Sequence, residues 1–255
     1  MRHAERVRTR PPLTPRAAAT FARFAALVPC AVCRRAPAGP GGVCDACRAA
    51  LRRPAHPGRA TLEGGVHVAW LGPHAPPWRP AIHALKFGGA HATAAPLGAA
   101  LAAHVAALGW PVARVVPVPL HPRRRRARGY DQADRLAGVV AASLGARHWR
   151  GLRRVRATAR QARTGAAGRD ANVAGAFAAR RVPPVPLLLI DDVWTTGATA
   201  RAARAALLAA GAREVRVAVV VRADADPAPV GGTPDPQTSR TAVATPSNAP
   251  TRTCG

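Results

Sequence analysis

Residues 187–199, LLLIDDVWTTGAT, constrain the fold of this chain more tightly than any other stretch. Leu187 to Ile190 form a run too short for most helices and too apolar to leave one face in water. That pattern belongs to a strand buried on both sides. The strand is expected over PVPLLLIDD (184–192), ending in Asp191 and Asp192, and TTGATARAARAALLAAG (195–211) reads as a capped helix closed by Gly211. A strand feeding a helix through a small, hydroxylated turn makes a phosphate cradle. The first-turn amides of a helix have no intrahelical partner, and the helix dipole adds positive character there. Thr195, Thr196 and Thr199 bring hydroxyls, and Gly197 and Ala198 let the backbone come close to a ligand. The loop lacks GxxxxGK[ST], so it is no Walker loop. Two carboxylates beside a phosphate are electrostatically unfavourable unless they accept hydrogen bonds from sugar hydroxyls or face Mg²⁺. The plainer alternative is a turn whose threonines only cap the helix, which does not call for the acidic pair.

The rest of the chain alternates in the same way. VHVAWL (66–71) and ARVVPVPL (113–120) read as strands, as does EVRVAVVVR (214–222). Helices are expected over 17–28, 78–87, 94–108 and 130–144, while the basic segment 121–128 and residues 153–170 read as loops. Strands alternating with helices predict an α/β fold with a parallel sheet flanked by helices. The expected layout is a disordered basic tail (1–20), a helix with a cysteine module and linker (21–60), the α/β domain (61–222) and a disordered Pro/Thr/Ser-rich tail (223–255).

Cys30-x-x-Cys33 and Cys44-x-x-Cys47 enclose a turn-forming segment, RRAPAGPGGV. Each pair puts two sulfurs on one side of a tight turn, and two pairs can complete a tetrahedron around Zn²⁺. Paired CxxC motifs favour metal over disulfides in a cytosolic chain, with redox pairing or a degraded site as the alternatives. A small zinc-ribbon-like module holding structural zinc is the expectation, since four thiolates leave no open coordination position. Cys254, in the C-terminal tail, has no partner spacing and reads as an inert thiol.

The formal net charge is +26 at pH 7, and lysine occurs once, at Lys86. Such a field attracts polyanions, though a solvated basic face with no fixed partner gives the same count. The arginine bias is uniform, so residues that run against it, such as Lys86, Tyr130 and Asn172, carry more information than any single arginine. Lys86 either approaches a ligand or pairs on the surface. Residues 17–29 superficially resemble a lipoprotein signal, but Arg23 interrupts the apolar run and Pro29 sits where a small residue belongs. Residues 94–113 are long enough to span a bilayer, yet His104 and Pro111 favour a buried helix. A cytoplasmic protein without a membrane span is expected.

The 187–199 segment resembles the 5-phosphoribosyl-1-pyrophosphate (PRPP) motif of type I phosphoribosyltransferases. Further segments narrow the resemblance to the ComF family: LKFGG (85–89), VVPVPLHPRRRRARGYDQA (115–133) and QARTGAAGRDANVAGAF (161–177), beside the paired CxxC motifs. These motifs occur in the family's order over residues 21 to 222. The sequence departs from the pattern at Asp131, where Asn is usual, and at Thr164, where Leu is frequent. An ionised Asp cannot donate a hydrogen bond, which puts the role of that position in question.

The resemblance implies that Asp191 and Asp192 hold the ribose hydroxyls while Thr195 to Thr199 wrap the 5-phosphate. Arg128 would lie near the pyrophosphate, and Gln161 and Arg169 on a mobile loop that covers the ligand. It implies a glycosyltransferase that binds Mg²⁺·PRPP and transfers the phosphoribosyl group to an acceptor the sequence does not name. The alternative is a non-catalytic accessory factor of natural competence, binding single-stranded DNA or a helicase partner during DNA uptake. The scarcity of aromatics speaks against extended base stacking and leaves backbone electrostatics open. A third reading has PRPP gating DNA or protein binding, although no helix-turn-helix pattern is present.

Overall fold

The computed structural model describes residues 28–39, 42–54, 57–87, 93–156, 173 and 175–223. Residues 17–27 of the helix expected over 17–28, most of the loop expected over 153–170, the N-terminal tail, the C-terminal tail after Ala223 and Cys254 lie outside them. Among the described residues the elements are α1 (Asp45–Arg52), β1 (Gly58–Leu62), β2 (Val66–Pro73), α2 (Trp78–Phe87), α3 (Ala94–Ala107), β3 (Arg114–Pro117), α4 (Pro122–Arg128), α5 (Gln132–Leu144), β4 (Arg147–His148), β5 (Leu152–Arg154), β6 (Phe177–Ala179), β7 (Pro186–Trp194), α6 (Ala198–Ala209) and β8 (Glu214–Arg222).

The most apolar strands take the centre of a six-stranded sheet ordered β1-β2-β8-β7-β3-β4. All neighbours in it are parallel except β1 and β2. Because side chains alternate along a strand, β7 supplies both faces. Leu188 and Ile190 join a layer that includes Leu85 of α2, Leu97 and Leu101 of α3, and Leu136 and Val140 of α5. Leu187 and Leu189 join the opposite layer, with Ala203 and Leu207 of α6. Burying each such leucine is worth about 1.5–3 kcal/mol. Helices α3 and α5 approach closely, since a Cβ on Gly98 would fall 2.7 Å from the Val139 Cβ. A larger residue there would push the helices apart.

The cysteine segment is seated on this core. Cys30, Val43, Cys44 and Leu51 belong to the same buried cluster as Leu97 and Leu101, and α1 packs on α3. The second cysteine pair is carried by a helix start: Cys44 is the N-cap of α1, and Cys47 lies in its first turn.

Several expectations need correction. Strand β7 runs two residues past Asp192, because Val193 and Trp194 continue the ladder with Val221 and Arg222. The basic segment read as a loop is helix α4, with Pro122 in its first turn and Gly129 closing it at φ +76°. None of its residues is buried, so no apolar period could disclose it. Residues read as linker form β1, whose GRATL sequence is too polar for a strand signal. Residues 153 and 154, read as loop, belong to β5, which pairs with β6 in a second, two-stranded sheet. No helix among the described residues is long and apolar enough to cross a membrane.

Candidate functional site

Strand β7 carries Asp191 and Asp192 to the carboxyl end of the sheet, where open α/β folds place their ligands. Asp192 is only 4% exposed. Lys86, near the end of α2, brings its Nζ to 3.0 Å from Asp192 Oδ2. The contact is an ion pair without hydrogen-bond alignment, and that carboxylate oxygen has no hydrogen-bond donor. Asp191 Oδ1 accepts from the Asp192 backbone N–H at 2.8 Å. Burial and the neighbouring Asp192 carboxylate push the Asp191 carboxyl up to about 8, against the pull of that N–H and of Lys86. The pair is therefore short of positive charge and of donors. Hydroxyl groups and a divalent cation such as Mg²⁺ supply both, so these residues fit the group the sequence implied.

The turn that the sequence marks as a candidate phosphate cradle follows directly. Asp191, Val193, Trp194 and residues 195–200 line a cavity of about 60 Å³ at the start of α6. Gly197 turns the chain at φ +75°, and a Cβ there would sit 2.1 Å from the Trp194 ring. Only glycine meets both conditions. The N-cap residue, Gly197, has no side chain with which to cap the helix N-terminus. The Thr196 hydroxyl accepts from the Ala198 N–H at 3.5 Å, a long contact.

A second cavity of about 440 Å³ opens from the acidic pair, and Asp191 and Thr199 border both spaces. Its cationic lining is Arg79, Lys86, Arg124, Arg128 and Arg154. Several backbone amides of the loop after β3 are committed within the protein. Pro119 and Pro122 have no N–H, while the amides of Val118, Leu120 and Arg123 donate to Ile190 O, Asp131 Oδ2 and His121 Nδ1. Arg128 is held by Gln132 Oε1 at 2.9 Å and lies over the Phe87 ring at 4.7 Å. Burial, then repulsion from Arg124, lowers the Arg154 guanidinium from its ordinary range, while Asp191 opposes the shift.

Arg128, Asp191, Asp192 and Thr199 border the larger cavity, and Asp191 and residues 195–199 border the smaller one. Gln161 and Arg169 lie outside the described residues. Lys86, left open by the sequence, meets the buried carboxylate. Arg79, His83, Gln132 and Arg154 were missed. No signal marked the arginines, which are this chain's background, and Gln132 is the buried helix start beside a motif that was read for Arg128.

The Asp131 departure has a physical account. Its carboxylate caps α5, accepting from Leu120 N, Ala133 N and Asp134 N at 2.8, 3.1 and 3.3 Å. Every one of these bonds needs an acceptor, so the lost donor of Asn costs nothing here. Burial nevertheless raises the Asp131 carboxyl above its usual range.

The four cysteine sulfurs lie within 4.8 Å of one another, with Cys33 and Cys44 3.8 Å apart. Sulfurs tetrahedrally placed at about 2.3 Å from zinc stand about 3.8 Å apart. Burial opposes ionisation of Cys30, but the amides of Cys33, Cys44 and Val32 outweigh it and bring that thiol down to about 6. Cys33 is lowered too, chiefly by the Arg35 amide. Burial and the three neighbouring sulfurs push Cys47 up. The cluster ionises readily at one end and resists at the other, a conflict that a central cation removes. It is suited to Zn²⁺.

Fold and site together define an α/β protein with a mainly parallel sheet, an acidic pair and cradle at its carboxyl edge, and an N-terminal four-cysteine cluster. The DNA utilization protein YhgH of Salmonella typhi is 32% identical over 204 residues, which is 74% of this chain and 87% of that protein. The YhgH of Escherichia coli K12 is 36% identical over 155 residues, 56% of this chain and 66% of that protein. The chain belongs to the family of the DNA utilization protein YhgH. No family model matches it.

Proposed function

We propose that this site binds Mg²⁺·PRPP and that the chain is a phosphoribosyltransferase of the ComF type. The observation that carries the reading is the shared border of the two cavities. With a 5-phosphate in the cradle, a ribose falls at Asp191 and Asp192, and a pyrophosphate extends toward Arg124, Arg128 and Arg154. Mg²⁺ would be held at the acidic pair and would neutralise charge developing on the leaving pyrophosphate. The chain's own residues position the rest. The cradle fixes the phosphate, the carboxylates accept from the ribose hydroxyls, and the guanidiniums bind the departing anion. In the transfer the C1–O bond to pyrophosphate breaks with its electron pair leaving on pyrophosphate. A nucleophilic atom of the acceptor forms the new bond to C1 and loses its proton to solvent. Gln161 and Arg169 are assigned by resemblance to the covering loop.

A second reading is favoured by the relatives' DNA utilization and by the charge of +26. In it the chain is a non-catalytic factor that holds single-stranded DNA or a helicase during DNA uptake. One experiment addresses both. Calorimetry with Mg²⁺·PRPP on wild type and on Asp191→Asn/Asp192→Asn should show saturable binding weakened at least about 100-fold in the variant. Absence of binding to wild type at millimolar ligand overturns the first reading. Salt-sensitive oligonucleotide binding, equal in both proteins, would then support the second.

A further inference from the structure

Phe87 is out of place as a core residue. It ends α2, borders the 440 Å³ cavity and is 60% exposed, in a chain with only four phenylalanines. The buried positions of α2 are Trp78, Ala81, Ile82, Ala84 and Leu85, so its apolar face is complete without Phe87. Arg79, His83 and Phe87 recur at four-residue spacing, and all three border the cavity. The His83 and Phe87 rings lie 5.1 Å apart at 48°. Arg128, anchored by Gln132, places its guanidinium over the Phe87 ring. One residue before Phe87, Lys86 reaches Asp192. The helix thus presents, side by side, an ion pair to the acidic site and a flat aromatic–guanidinium shelf to the cavity.

A planar ring is the partner such a shelf selects, because aromatic and guanidinium faces both stack on nucleobases. His83 follows one turn back along the helix, about 6 Å away, and Arg79 one turn further. Both offer donors to an anion attached to the stacked ring. Arginine stands over other rings of this chain too, such as Trp149 and Trp110, but beside Phe87 two further donors follow along the helix face that borders the cavity.

We propose that the Arg79–His83–Phe87 face of α2, with Arg128, binds a nucleotide as the second ligand of this cavity, its base on Phe87 and its phosphate toward His83 and Arg79. This rests on the Mg²⁺·PRPP reading of the acidic pair and names the class of the other ligand. A free nucleotide and the terminal nucleotide of a single strand share this chemistry.

The test uses the full-length, zinc-loaded chain, titrated with each nucleoside monophosphate and with single-stranded oligonucleotides of three to six residues, with and without Mg²⁺·PRPP. Phe87→Ala should weaken nucleotide binding roughly tenfold or more, and Phe87→Tyr should restore it. Arg79→Gln should weaken phosphorylated ligands several-fold while sparing the bare nucleoside. Mg²⁺·PRPP affinity is measured on each Phe87 variant as well, and nucleotide binding is compared at saturating Mg²⁺·PRPP, because the Arg128 guanidinium lies over the Phe87 ring. Saturation by monophosphates identifies the free nucleotide as the source, and binding of oligonucleotides alone identifies a strand end. Undiminished nucleotide binding in Phe87→Ala overturns the proposal, as does wild-type protein that binds Mg²⁺·PRPP but no nucleotide or oligonucleotide. Failure of Mg²⁺·PRPP itself to bind overturns the reading beneath it.

Discussion

The four cysteines and the two aspartates are both clusters of like acids held closer than free solution would allow, but one closes on itself while the other opens onto a cavity. In the cysteine cluster the four sulfurs lie within 4.8 Å of one another, and four thiolates on one zinc ion would leave no open coordination position. In the acidic pair, Lys86 meets one carboxylate from a single direction, and the cradle and larger cavity meet at the other. Crowding of acids alone therefore does not separate a structural site from a reactive one. The separating feature is whether the positive charge that relieves the crowding leaves room for anything else.

Three measurements break or sharpen this contrast. The largest effect is expected at the closed site. Cys47→Ser, or removal of zinc by a chelator, should lower the melting temperature by on the order of 10 °C, because metal binding contributes directly to folding. Asp191→Asn/Asp192→Asn should cause no such fall. Equal losses for both would erase the distinction.

The next effect is the pH response of the open site. Asp191 holds its proton in the folded chain up to about 8 but loses it near 4 when unfolded. Between those values the folded state binds more protons, so the stability of the ligand-free chain should fall as pH rises through that window. Mg²⁺·PRPP needs the ionised pair, so its affinity should rise by up to about tenfold per unit toward pH 8 and then level off. Asp191→Asn should reduce this downward slope in thermal melts recorded from pH 5 to pH 9. A downward slope unchanged in the variant would place the titrating group elsewhere.

The smallest effect is local. Gly197→Ala should cost about 1–3 kcal/mol in denaturant unfolding, from the left-handed backbone and the Trp194 ring beneath it. It should also deform the cradle, so Mg²⁺·PRPP binding should suffer more than folding does. Loss of stability with unchanged affinity would show that the turn is scaffold only.

The central strands and the cradle were legible because apolar runs, acids and threonines stand out against an alanine- and arginine-rich background. Lys86 was conspicuous as the lone lysine, yet its meeting with Asp192 bridges more than a hundred residues and no local pattern encodes it. Arg154 was illegible for the opposite reason, being one arginine among many on a three-residue strand. Helix α4 hid because it buries nothing, and β1 because an edge strand needs only backbone pairing to its neighbour. Composition sets the threshold for what can be read: a residue type that is everywhere marks no place.

Leu51 and Val43 of the cysteine segment sit in the same apolar layer as Leu97, Leu101 and Leu85 of the sheet domain. This makes the N-terminal segment a poor candidate for trimming. A shortened chain that begins at β1 would leave the outer side of α3 bare, an invitation to self-association. Whoever wishes to study the ligand cavity alone must keep the cysteines.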